Sequence, residues 1–392
     1  MKKTSIALVI EGTFPWYRGG VSEWIAQYLR AFPDYQFQIV QIATDQWLRK
    51  QISEALYELP KQVENFIRIE APNIDAISQL YPWFESTRHR LNRSFPIADY
   101  IHIINTGLAG WLGLQYARQL QKPLILTEHA LYWKEIKMGA AALECGYPVP
   151  SEQRAKSQMA NMFQEMAKTI YHNADEVISV SECNIPFQRA MGARHVQYIP
   201  NGISEDWLQP DKERRGNDIP VIGWVGRCAR MKNPLRFFEV IDACRSGGFT
   251  NAHFVMMMSE AGEPALWKKV TEKAKNYPEL VLQCNQPAKN YMNELDALCI
   301  TSLNESQPLV LFEALASRVL PVGWKAGDAD QKYGLMMSPD RSPEGLIDEM
   351  VDLWNQPRKW RQAVNKRYEI VKQQHLWADI FNRYRNLFQS YR

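Results

Sequence analysis

Short apolar runs alternate with helix-length amphipathic stretches along almost the whole chain, and no other feature narrows the fold as far. In the first half the runs are "SIALVIEG", "FQIVQIAT", "YIHIINT", "PLILTEH", "EVISVS" and "VQYIPNG"; in the second they are "VIGWVGR", "HFVMMMS", "LVLQCN", "ALCITS" and "VLPVGW". A strand that is apolar throughout is buried on both faces, which is the situation in a parallel sheet covered by helices. Strand and helix in strict alternation build such sheets from crossover units.

Between the two sets lies "ISEDWLQPDKERRGNDIP", residues 203–220, charged, broken by Pro210, Gly216 and Pro220 and without apolar period. It reads as a linker. A chain of 392 residues also exceeds a comfortable single core and suits two domains. The expected fold class is therefore α/β, with a doubly wound parallel-sheet domain at 1–205, a linker at 206–220 and a second such domain at 221–375. Ligands of these sheets bind outside the carboxyl ends of the strands, so two Rossmann-like sheets facing across a cleft are expected to hold the site between them. In the last stretch, 376–392, Trp377, Phe381, Tyr384 and Phe388 recur at helical spacing. That pattern predicts a C-terminal helix packing back across to the first domain. The stretch from Trp133 to Gln164 is less regular and reads as an insertion near the site.

Charge and composition exclude several classes of function. Forty-six Lys and Arg against forty-three Asp and Glu leave a formal charge of +3, too little to grip a nucleic-acid backbone. The opening "MKKTSIALVIEGTF" has the lysines of a signal peptide, but Glu11 cuts its apolar stretch short. No later stretch approaches the roughly 20 apolar residues that span a bilayer, and a cytoplasmic protein is expected. Six cysteines stand far apart without a C-x-x-C pair, which argues against a zinc site and a disulfide framework alike. The seven histidines include no H-x-x-x-H pair and no carboxylate cluster surrounds them, so no bound metal is expected.

Four stretches carry groups suited to chemistry. In "EGTFPWYRGGVSEW" the adjacent Gly19 and Gly20 precede an amphipathic helix; glycines admit close backbone approach, and the amides of a helix start favour a phosphate. The spacing is neither G-x-G-x-x-G nor a Walker loop, which excludes nicotinamide and ATP fingerprints. "GWVGRCARMKNP" places Arg227 at a strand end and Lys232 five residues on, a planar fork and a point charge that together neutralise a diphosphate. In "TSLNESQPLVLFEALAS" Pro308 suits the first helical position, and Leu309 and Val310 follow with unpaired amides. Glu313 lies about one turn into that helix, where a carboxylate accepts from the two hydroxyls of a ribose; Glu305 in the loop reaches a sugar ring. The alternative, two solvated glutamates, is weakened by the apolar neighbours of Glu313 in "LVLFEALA". "LILTEHALYWKE" ends a strand at Glu128 and His129, and such a histidine donates to a sugar hydroxyl, stabilises developing charge, or is simply structural. Trp16, Tyr17, Tyr132 and Trp133 flank the motifs and suit stacking on sugar rings.

Taken in order, "RGGVSEW", "LTEHALY", "YIPNGI", "GWVGR...K" and E-x7-E resemble a retaining GT-B glycosyltransferase of family four. Within it, "EGTFPWYRGGVSEW", "TEH" and "ESQPLVLFEALA" are most similar to the glycosyltransferases of Pel exopolysaccharide synthesis. The resemblance spans nearly the whole chain. It implies a nucleotide-sugar donor, a UDP-sugar, held mainly by the second domain, and a glycan or lipid-linked acceptor held by the first. By the same resemblance Gly19 and Gly20 approach the diphosphate, Arg227 and Lys232 neutralise it, and Glu313 binds the ribose. Glu305, with Pro308, Leu309 and Val310 at the helix start, holds sugar and phosphates, and His129 stands beside the transferred sugar, making His129 and Glu305 the catalytic candidates. No metal or cofactor is implied, and peripheral contact with the inner face of the membrane or with a biosynthetic complex stays open. The chain departs from the family pattern where Ser306 and Arg318 replace glycines, where "KAGDAD" stands for a Gly-Gly, and where "HFVMMMSEAGEP" lacks the glycine that usually ends its strand. Those departures add bulk near the expected donor site and keep two alternatives in view: a catalytically weak or inactive GT-B partner protein, and a GT-B epimerase or phosphorylase.

Overall fold

A computed structural model describes residues 3–43, 48–72, 79–91, 98–140, 143, 146–210 and 219–391. The chain forms two compact units, Met1–Pro200 with Phe381–Arg392, and Asn201–Ile380.

The first unit holds seven parallel strands: β1 (Ser5–Glu11), β2 (Gln36–Ala43), β3 (Val63–Glu70), β4 (Tyr100–Ile103), β5 (Leu124–Glu128), β6 (Glu176–Ser179) and β7 (Val196–Tyr198), in the order β3-β2-β1-β4-β5-β6-β7. The second holds β8 (Val221–Arg227), β9 (His253–Ser259), β10 (Leu280–Cys284), β11 (Ala297–Ile300), β12 (Leu320–Trp324) and β13 (Leu335–Met337), in the order β10-β9-β8-β11-β12-β13. Both are doubly wound: the chain runs outward from a central first strand, then returns to build the other side. The reversal leaves a crevice at the carboxyl ends between β1 and β4, and another between β8 and β11.

Every strand expected from the sequence is present, and β3 and β13 are additional. In β3, "VENFIRIE", three charged residues interrupt the apolar ones, and three of the eight residues are exposed while only one is buried, because it forms the sheet edge against β2 alone. An edge strand need not be apolar throughout, so it carries no continuous run to read. The central strand β1 is buried at every position.

The expected insertion is in good part regular, since Gln153–Asn173 is a single 21-residue helix. It starts on Glu152, whose carboxylate accepts from the amides of Arg154 and Ala155. The start of the expected linker is fixed as well. Ile203 donates from its amide to the His375 carbonyl at 2.6 Å and accepts from the Trp377 amide at 3.2 Å, and the Gln209 amide donates to the Ala316 carbonyl at 2.9 Å. Residues 211–218 lie outside the described residues.

The C-terminal helix, Trp377–Ser390, begins in the second unit and ends in the first. Phe381, Tyr384 and Phe388 are buried to 2% exposure or less. Their rings pack on Trp24 and Tyr28 of the first helix, Gly20–Ala31, at centroid distances of 5.7 to 6.3 Å. Burial of each such ring contributes about 1.5–3 kcal/mol, so these last turns are part of the first core rather than a tail.

Candidate active site

The β8/β11 crevice of the second unit gathers most of the residues singled out in the sequence. Arg227 is the last residue of β8, half-buried beside Ser259 of β9. A 3-10 turn, Arg230–Lys232, follows. Its Lys232 ammonium stands 2.5 Å from Oε1 of Glu305, in the loop after β11, with side chains 22% and 11% exposed. The Ser302 hydroxyl donates to the same oxygen at 2.6 Å. Two bonds stitch the loops together beneath: Thr301 Oγ1 donates to the Lys232 carbonyl at 2.8 Å, and the Leu303 amide donates to the Met231 carbonyl at 2.8 Å.

Glu305 leads into the helix Leu309–Ala316. Pro308 is its N-cap, with φ −73° and ψ 122°, one position before the first helical position expected for it. Leu309 and Val310 are then the first two helical residues; the Leu311 amide already reaches the Pro308 carbonyl at 3.1 Å, and no side chain caps the helix. The amides of Leu309 and Val310 thus precede the intrahelical ladder, as a helix start requires. Glu313 follows in the second turn, half-buried.

Two residues not anticipated from sequence fix this loop. Gln307, 6% exposed, accepts from the Asn201 amide at 2.6 Å through Oε1 and donates through Nε2 to Asp328 at 3.1 Å. Gly327 has φ +59°, and a Cβ there would lie 1.9 Å from the Glu305 carbonyl oxygen. Only glycine lets that turn close on the loop. Neither shows in periodicity, because each acts through a tertiary contact.

The family glycines that the chain lacks are accounted for in part by the same geometry. Arg318 adopts φ +57° at the far end of the Glu313 helix. Its side chain leads away to the Gln209 carbonyl, the Asn365 amide oxygen and the face of Tyr368, so it adds no bulk at the helix start, contrary to the expectation. Gly327 of "KAGDAD" approaches the Glu305 backbone, and Gly262, at φ +74° with open space around it, lies in the turn after β9.

The β1/β4 crevice of the first unit is occupied by the protein itself. Glu11, closing β1, accepts from the Ala109 amide at 2.6 Å and so fills the N-terminus of the helix Leu108–Leu120. A Cβ at Gly107 would stand 2.6 Å from that carboxylate. A carboxylate in this place supplies the negative charge that a ligand phosphate would otherwise bring.

Gly19 caps the first helix with φ −162°, extended backbone open to any residue. A Cβ there would meet nothing nearer than the Tyr17 ring at 3.8 Å, so the space above Gly19 and the exposed Gly20 is open. The loop before them is pinned: Gln41 donates to the carbonyls of Gly12 and Phe14 at 2.7 and 2.5 Å, and the Trp16 indole donates to the Gln51 carbonyl at 2.8 Å. Trp16, Tyr132 and Trp133 are buried at 9% exposure or less and serve packing.

His129 follows β5, edge-on to Trp24 at 5.0 Å. Its Nε2 is sealed from solvent with no hydrogen-bond partner. Burial pushes the imidazole pKa down to about 3, so it carries no charge at neutral pH and offers a hydrogen bond rather than a cation. Glu128 is a structural hub: its carboxylate accepts from Thr106, Tyr171 and Gln188 at 2.7, 2.5 and 2.8 Å. Burial raises its pKa against those three bonds, which lower it. Among the described residues no group of three His, Cys, Asp or Glu is placed to hold a metal ion, and no helix is long and apolar enough to cross a membrane.

Two doubly wound parallel sheets of this order are the GT-B fold, and solved structures agree. The chain superposes on sucrose-phosphate synthase from Thermosynechococcus elongatus with a TM-score of 0.75 at 18% identity, covering 99% of this chain and 100% of that one. The pneumococcal O-GlcNAc transferase GtfA, solved with UDP and GlcNAc, gives 0.67 at 12% identity over 100% and 99% of the two chains. WaaG, a glycosyltransferase involved in lipopolysaccharide biosynthesis, gives 0.67 at 12% over 97% and 98%. Residues 219–356, most of the second unit, match the family model "Glycosyl transferases group 1". Residues 4–79 and 80–196 match "Domain of unknown function (DUF3492)". No curated protein matches in sequence.

Proposed function

We propose that the chain is a retaining, metal-independent glycosyltransferase that moves a sugar from a nucleotide sugar, a UDP-sugar, to a hydroxyl of a glycan or glycolipid acceptor in polysaccharide synthesis. The observation that carries this reading is the β8/β11 crevice, where Arg227, Lys232 and Glu305 converge before the open start of the Leu309–Ala316 helix. The Glu11 carboxylate seated at the β1/β4 crevice supports a donor-phosphate site in the second unit. Support for UDP is the UDP bound by GtfA, and support for a polysaccharide role is the wording shared with Pel-type enzymes. The place of work is the cytoplasm or the inner face of the membrane.

In this reading Arg227 and Lys232 neutralise the diphosphate, the amides of Leu309 and Val310 behind Pro308 bind its oxygens, and Glu313 takes the ribose hydroxyls. Glu305 orients the sugar, and Gly19, Gly20 and His129 of the first unit take the roles that the family resemblance gives them. The acceptor oxygen bonds to the anomeric carbon on the face from which the phosphate oxygen leaves, and that phosphate oxygen receives the acceptor proton. Fixed cations and amides stabilise the departing charge without a divalent ion.

The test is a thermal-shift titration with a panel of nucleoside diphosphates. A ligand at about 100 times its Kd adds roughly 2.7 kcal/mol; UDP is expected to stabilise the wild type, and Arg227→Ala and Glu313→Ala to lose most of that response. Equal shifts in all three proteins would remove the site assignment.

A further inference from the structure

The two groups that the proposed function assigns to different parts of the donor hold each other. Lys232 Nζ and Glu305 Oε1 are 2.5 Å apart and largely withdrawn from water. The Ser302 hydroxyl fastens the same oxygen at 2.6 Å. The loop that carries this carboxylate is closed by Gly327 and tied by Gln307 to Asn201, so its backbone sets the carboxylate beside the lysine.

We infer that a bound diphosphate and Glu305 compete for Lys232, so that Glu305 turns to the donor sugar only after a diphosphate has taken the ammonium. The deduction rests on the proposed function and adds the order in which its groups engage. An ammonium has three donors but one compact charge, and a diphosphate presents more negative charge than one carboxylate. When the diphosphate draws Lys232 away, Glu305 loses its counter-charge in a half-buried place. Its most favourable new partners are the paired hydroxyls of a sugar, each able to donate. A nucleoside diphosphate with no sugar breaks the pair and gives Glu305 nothing in return. A nucleotide sugar breaks it and supplies the replacement. The pair thus discriminates the loaded donor from the spent nucleotide and favours release of the latter.

The consequence has an unusual sign. Glu305→Gln keeps the shape, removes the charge that competes for Lys232, and is expected to tighten binding of free UDP by roughly two- to fivefold, as for an ion pair worth up to about 1 kcal/mol. The same substitution is expected to erase the preference of the protein for UDP-sugar over UDP. A residue that merely shaped the site would weaken both ligands on substitution. In a Lys232→Gln background the Glu305→Gln substitution is expected to leave UDP affinity unchanged, because the two effects act through one contact. The measurement is isothermal calorimetry with UDP and with UDP-glucose, UDP-galactose and UDP-N-acetylglucosamine on the full chain, with the melting temperature of each variant confirming the fold. Weaker or unchanged UDP binding in Glu305→Gln overturns the inference while leaving the proposed function standing. A wild type that binds no nucleotide of the panel removes the proposed function first, and the inference with it.

Discussion

Single residues decide the chemistry of the crevice, and several carry testable costs. Gly327 combines φ +59° with a carbonyl oxygen 1.9 Å from where a Cβ would go. Gly327→Ala therefore has to move the Glu305 backbone. The expected result is a loss of about 1–3 kcal/mol in stability together with at least a tenfold weaker nucleotide affinity, read by thermal melting and calorimetry. Glu128 presents the opposite case, a buried carboxylate whose importance is structural. Glu128→Gln would set an NH2 group against the donors of Tyr171 and Gln188, or of Thr106, and is expected to cost about 1–3 kcal/mol without a selective loss of nucleotide binding. His129 and Glu128 are neighbours in sequence and were candidates of the same strand end; their surroundings, not their residue types, separate them.

At the scale of elements, the helix Leu309–Ala316 is open at its start and locked at its end. Its last turn is followed by Arg318 in the left-handed region, held by Gln209, Asn365 and Tyr368. Arg318→Ala keeps the unfavourable backbone and loses the side-chain contacts, so it is expected to destabilise by about 2 kcal/mol; Arg318→Gly recovers about 1 kcal/mol of that. Nucleotide affinity should be unchanged in both, because the contacts point away from the helix start. The C-terminal helix makes a similar point about terminal segments. Phe388→Ala is expected to cost about 3–5 kcal/mol, seen as a lowered denaturant midpoint, since that ring stacks on Tyr100 and meets Tyr28, Phe32 and Tyr35. Helices and strands of this kind were legible because burial on a fixed period leaves a mark in the sequence. The edge strand β3 left none, being charged and buried at only one of its eight positions.

For the molecule as a whole, histidines held in the first core contribute to the response to acid. His102 lies between the Tyr28 and Thr127 hydroxyls at 2.9 Å each, a pairing that a neutral ring satisfies with one donor and one acceptor. Burial holds His102 and His129 at about 3, below the ordinary value near 6.5. Both are folded-state depressions, so the unfolded chain binds the extra protons and stability falls as pH drops from about 6.5 toward 3. Glu128, raised by burial, acts with the opposite sign, so a difference between proteins is the clean readout. Between pH 7 and 5 the wild type is expected to lose up to about 2 kcal/mol more than His102→Gln, measured by urea unfolding at both values. The alternation of apolar runs with amphipathic stretches determined two doubly wound sheets and placed Arg227, Lys232, Glu305 and Glu313 at the strand ends and helix start that their sheets use, because burial and helix capping are local demands written on neighbouring residues. What the tertiary structure decided is which of those groups touch: that Lys232 closes on Glu305, that Glu11 fills its own helix N-terminus, and that Gln307 and Gly327 hold the loop. Those contacts join residues from 21 to 106 positions apart, and only the folded backbone brings such residues within hydrogen-bond reach.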